Sequence, residues 1–146
     1  MDVYTQIPRL NGINQENYIC YEVFLVDFKE VSDAQAVGTH TMALLPRGSA
    51  VLGLKVVVLD SVTSSGAATL AFKAQVGVGT AAALGGSLAL SALAGGCGHV
   101  LSPAGGTVRG DGDVKIQVTV GTAALTGGRM MVIAETVPVS EYLENG

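Results

Sequence analysis

Apolar and polar positions alternate with a period of two through much of the chain, which predicts strands. The pattern is cleanest in VKIQVTVG (114–121). There Val114, Ile116, Val118 and Val120 alternate with Lys115, Gln117 and Thr119, as in a half-buried strand. CYEVFLVDFKEV (20–31) is a strand of another kind. Val23, Leu25 and Asp27 share one face and Phe24, Val26 and Phe28 the other, so both faces are apolar at the centre and burial on two sides is expected. In GTHTMALLP (38–46), Thr39, Thr41 and Ala43 alternate with His40, Met42 and Leu44, and Pro46-Arg47-Gly48-Ser49 makes a turn. AVLGLKVVVLDSVTS (50–64) reads as one long β-branched strand, with Gly53 marking a bulge or a close backbone approach. After Ser64-Ser65-Gly66 comes AATLAFKAQVGVG (67–79), with Leu70 and Phe72 opposed to Ala71 and Lys73. TVRG (107–110), a turn at Asp111-Gly112-Asp113, a turn region TAALTGG (122–128) and the strand RMMVIAETVPV (129–139) complete the series.

Six to eight strands between glycine-rich turns predict an all-β fold: a single antiparallel β-sandwich, jelly-roll-like. Residues 1–20 have no steady period and are expected to form an extended N-terminal arm. The sandwich is then 21–139, and 140–146 (SEYLENG) is a polar tail. No long amphipathic helix and no repeat of about 20 to 50 residues is visible.

Composition sharpens this picture. Of 146 residues only 14% are charged, with 20 glycines, 3 phenylalanines and no tryptophan, so small side chains prevail and large anchors are few. A net charge of −4 argues against a nucleic-acid partner, which would want a basic face. From Ala74 to Val108 there is no charged residue at all. As a membrane span, the segment AAALGGSLALSALAGGCGHVL (81–101) is diluted by glycine and serine and lacks flanking basic residues and an aromatic belt. As a nucleotide loop, GVGTAA (77–82) matches G-x-G-x-x-A, but no acid follows before Asp111 and the next stretch is a poor helix. The remaining reading is a packed surface. Small uncharged residues allow close contact, either within the same sandwich or with another subunit.

Chemistry is sparse. His40 and His99 are the only histidines, and Cys97-Gly98-His99 has neither catalytic nor zinc-site spacing. Asp111 and Asp113 lack the other ligands of a calcium loop, and Glu135 reads as solvated. No catalytic, metal or cofactor site is expected. Nothing in the spacing of Cys20 and Cys97 requires them to pair, which fits synthesis in a reducing compartment. MDVYTQIPRL is not a secretory signal.

Two stretches carry a resemblance. MALLPRGSAVLGLKVVVLDSVTSSGAATLAF (42–72) has an LP-basic-G turn before a Val-rich strand. GTVRGDGDVKIQVTVGTAALTGGRMMVIAETV (106–137) has a T-x-G-[KR] turn before the last one. With the Gly/Ala-rich middle, these resemble small virion structural proteins of tailed bacteriophages, in particular capsid decoration (cement) proteins. The resemblance implies a non-enzymatic β-sandwich or jelly-roll homotrimer on the capsid surface, made in the host cytoplasm, that binds the major capsid protein and bridges capsomers. Tyr4, Ile7, Leu10, Ile13 and Tyr18 are then the expected capsid contacts of the arm, and Leu84, Leu88, Leu90, Leu93 and His99 the expected subunit interface. The rivals are another virion accessory (tail-tube, neck or fibre-base component) and a carbohydrate-binding sandwich. The latter wants exposed aromatics, and five of the seven here lie at or before Phe28.

Overall fold

The structure is a computed structural model that describes residues 5–7, 19–30, 35–45, 49–77, 79, 81–103 and 113–138. Nine strands are described: β1 (Thr5–Ile7), β2 (Cys20–Asp27), β3 (Gly38–Leu45), β4 (Ser49–Ser64), β5 (Thr69–Val76), β6 (Ala82–Ala89), β7 (Gly98–Leu101), β8 (Val114–Gly121) and β9 (Leu125–Pro138). They form a five-stranded sheet, β1-β2-β9-β4-β7, and a four-stranded sheet, β3-β8-β5-β6, with every pair antiparallel. The fold is an all-β sandwich, as the alternation predicts.

The pairing is nested. β5 pairs with β6, β4 with β7, β3 with β8 and β2 with β9, so the chain behaves as one long hairpin folded over on itself. The inner faces meet in one core. Phe24, Val26, Leu54, Val56, Met130 and Val132 come from one sheet, and Met42, Leu70, Phe72, Ile116 and Val118 from the other. All three phenylalanines are fully buried there. In a chain this poor in large apolar residues they carry a disproportionate share of the buried area, each contributing about 1.5–3 kcal/mol through transfer from water.

Several local expectations change in the structure. A bulge between Thr41 and Ala43 shifts the phase of β3. Met42 and Ala43 are both buried and Leu44 points outward, so strict alternation fails there. Gly53 lies at a register shift in β4, the bulge that a glycine within a strand suggests. β9 begins at Leu125, not Arg129, because Leu125 and Gly127 pair with Ser64 and Thr63 at the far end of β4 rather than turning.

The uncharged stretch is the largest revision. It forms two strands, β6 and β7, joined by a 3₁₀ turn at Leu90–Ala92. Leu84, Leu93 and Leu101 enter the core, and Leu88, Leu90 and Cys97 pack against it. Residues 93–97 then run along β4 without being a strand. The Val62 N–H donates to Leu93 O, the Gly96 N–H to Val58 O, and the Val58 N–H to Cys97 O. A Cβ on Gly95 would sit 3.2 Å from Leu59 O, so small residues are what let this segment lie on the β4 backbone. Among the described residues no helix is long and apolar enough to cross a membrane.

Candidate interaction surfaces

The two sheets present different outer faces. On the four-stranded sheet the register sets Thr39 beside Thr119 and Ala71, then Thr41 beside Gln117 and Lys73. Thr39 and Thr119 hydroxyls bond at 2.9 Å, and Gln117 donates to Gln75 Oε1 at 3.3 Å. This is a polar face of the ordinary kind.

The outer face of the five-stranded sheet is apolar. One row across it runs Leu25–Met131–Val57, the next Val23–Ile133–Lys55–Val100. Tyr21 and Val57 are exposed and Val100 is 75% exposed, while Val23, Leu25, Met131 and Ile133 are half-buried. The two cations on this face are paired within the sheet, while Asp27 accepts from the Lys29 and Glu30 N–H groups. Lys55 Nζ lies 3.2 Å from Glu135 Oε1, so Glu135 is held by a cation rather than merely solvated. Arg129 Nε lies 3.0 Å from Asp60 Oδ2, an ionic contact off the line of the N–H. Such exposed pairs contribute little. Glu135→Gln or Lys55→Met is expected to change stability by less than about 1 kcal/mol in urea unfolding.

The polar candidates of the sequence fall apart in space. His40 and His99 each bond a backbone carbonyl through Nε2, Ala36 O at 2.7 Å and Ala92 O at 2.6 Å. A carbonyl only accepts, so Nε2 donates in both. Neither Cys20 nor Cys97 is in a disulfide. Among the described residues no three His, Cys, Asp or Glu side chains gather to hold a metal. The Gly77 N–H donates to Asp113 O at 2.7 Å, and a strand, β6 from Ala82, follows GVGTAA where a phosphate loop would open a helix. Asp111 lies outside the described residues.

Three solved chains share this fold. One is from the acidic stable capsid structure of Helicobacter pylori bacteriophage KHP30, with a TM-score of 0.54 and 12% identity over 81% of this chain and 88% of that one. One is from the capsid of Ralstonia phage GP4, with a TM-score of 0.51 and 17% identity over 91% and 89%. One is from the cyanophage Pam1 capsid asymmetric unit, with a TM-score of 0.50 and 17% identity over 82% and 85%. No protein-family model matches the sequence, and no curated protein matches it.

The expected contact residues divide in the same way. Leu84 and Leu93 are fully buried in their own sandwich and offer no surface to a neighbour. Leu88, Leu90 and His99 are half-buried and keep some surface. Of the arm, Thr5–Ile7 is added to the sheet edge with Ile7 opposite Val23, while Tyr4, Leu10, Ile13 and Tyr18 lie outside the described residues. The expectation for 20–31 is met on one side only. Phe24, Val26 and Phe28 are buried, but the Val23–Leu25 face stays partly open. The apolar outer face was not picked out from the sequence as a whole. Its signal is that β2 and β9 are apolar in both phases, where a strand with one wet face should alternate.

Proposed function

We propose that this chain is a non-enzymatic bacteriophage virion structural protein, a capsid decoration (cement) protein that binds the outside of the head and stabilises it by bridging capsomers. The observation that carries the reading is the shared fold, over more than four-fifths of each chain, with chains from three phage capsid structures. The nested strand order supports it further, since pairing β2-β9-β4-β7 against β3-β8-β5-β6 is the order of an eight-stranded jelly roll, an architecture recurrent in viral capsids. The scarcity of charge and the apolar outer sheet face suit a protein whose work is burying surface.

In this reading the sandwich (21–139) is the body, the N-terminal arm (1–20), held to the body's own sheet edge through Thr5–Ile7, contacts the shell at a capsomer boundary, and 140–146 are a polar tail. Tyr4, Ile7, Leu10, Ile13 and Tyr18 contact the major capsid protein, since aromatic and apolar anchors dominate such interfaces. Leu88, Leu90 and His99 lie where copies meet in a trimer. The protein is made in the host cytoplasm and ends on the capsid surface.

The test is to mix purified protein with capsids lacking it. Co-sedimentation and a raised capsid melting temperature are expected. A protein that stays monomeric and leaves the capsid unbound and its melting unchanged would refute the proposal. Deleting residues 1–19 is expected to weaken capsid binding about tenfold or more while the sandwich still unfolds cooperatively. The loss of β1, three residues on a sheet edge, should cost the fold little.

A further inference from the structure

We infer that the outer face of the five-stranded sheet is the seat of the protein on the shell, and that what it meets there is an uncharged, apolar patch of the capsid protein. The inference rests on the virion reading above and deepens it by naming the surface.

Four observations converge. First, the two sheets are unlike. One outer face carries a lattice of Thr, Gln and Lys, and the other the rows Leu25–Met131–Val57 and Val23–Ile133–Lys55–Val100, apolar but for the paired Lys55. A contiguous apolar face rimmed by charge is the form that marks an interaction site. Second, its cations are already matched, Lys55 by Glu135 and Arg129 by Asp60, and Asp27 at the end of the face accepts from the Lys29 and Glu30 N–H groups, so no cation of the face is left for an anionic partner to neutralise. Complementarity therefore calls for a neutral patch, not for nucleic acid or an acidic lipid surface.

Third, the size argues against a second copy as the occupant. Five strands about 4.8 Å apart and six residue steps of about 3.4 Å from Tyr21 to Asp27 give a footprint near 400 Å². A stable pair of proteins buries about 800 Å² on each side. A face of half that size seats weakly on its own and needs added reach or many copies on one support, and a capsid supplies both. Fourth, β1 (Thr5–Ile7), the described part of the arm, is the edge strand of this same sheet, so the segment proposed to touch the capsid is attached to this sheet and not to the one carrying the Thr/Gln/Lys face.

The experiment compares variants of the full chain in co-sedimentation with capsids lacking it. Leu25→Lys with Met131→Lys puts two cations into the middle of the face; Val100→Lys puts one at a position 75% exposed, where folding does not depend on it. Gln117→Lys on the opposite sheet is the control. The double variant is expected to bind at least about tenfold more weakly, Val100→Lys about fivefold, and Gln117→Lys within about twofold of the unaltered protein. Circular dichroism and thermal melting report folding. If the double variant fails to fold, Val100→Lys decides alone. Folded face variants that bind like the unaltered protein would overturn this inference and leave the virion reading standing. Face variants that dissociate an oligomer in light scattering without losing the capsid would also overturn it, making the face an interface between copies. Failure of the unaltered protein to bind capsids would fell the virion reading itself.

Discussion

Gly128→Ala is expected to lower the free energy of unfolding by about 4 kcal/mol, through two costs that act together. Gly128 has φ of 127°, a backbone conformation that L side chains rarely adopt, and strain of this kind costs about 1–3 kcal/mol. A Cβ there would also lie 2.6 Å from the Cα of Val62 and 3.2 Å from Ser61 O. These are mostly backbone atoms of β4, which cannot rotate away as a side-chain tip can. Relieving the clash means parting β9 from β4 where Phe28 also donates its N–H to Gly128 O at 2.9 Å. Overpacking adds about 1–3 kcal/mol more. Small domains are stable by only about 5–15 kcal/mol, so this single methyl would bring the protein close to its limit. Urea unfolding followed by circular dichroism measures it; a loss below about 1 kcal/mol would show that β9 can shift away from β4 cheaply at this point.

Leu93→Ala is expected to cost about 3 kcal/mol, within the usual 2–5 for a buried leucine. Leu93 is fully buried, although it lies outside regular structure at the end of the 3₁₀ turn. Its carbonyl accepts from the Val62 N–H at 3.0 Å, so side chain and backbone both fix the irregular run to β4. Leu90→Ala, three residues earlier and only half-buried, is expected to cost about 1 kcal/mol. The same unfolding titration compares the two. Equal losses would mean that Leu93 is not the anchor of this segment, and that its cover comes from elsewhere.

These two residues also show what could be read from the chain alone. Leu93 sits in a run with no charge and no clean period, so nothing local separates a core contact from a subunit contact. Its burial is decided by β4, some thirty residues earlier. β6 was hidden for a related reason. Ala82–Ala89 has small residues in both phases, and its Gly85 takes a φ of 71° that breaks the alternation. By contrast β8 carries its pattern in the sequence, because it alternates apolar and polar groups whose fates differ in water. Of the candidate surface, the apolar outer face is written in β2 and β9 as strands with no polar phase. That it joins Leu25, Met131 and Val57 in one row follows only from a register linking strands far apart in the chain.

The nested pairing has a consequence in time. Cys20 pairs with Thr136, and the Thr136 hydroxyl reaches the Cys20 carbonyl across 116 residues of sequence. The innermost pair, β5 with β6, can form as soon as it is made, but β2 has only the three-residue β1 beside it until β9 exists. A topology so rich in distant contacts folds in milliseconds to seconds rather than microseconds. During synthesis, at about 5–20 residues per second, the apolar faces of β2 wait several seconds for their neighbour. The strand most apolar on both sides is therefore the one left longest uncovered on the ribosome, and low yield through aggregation of the nascent chain is the vulnerability this fold carries.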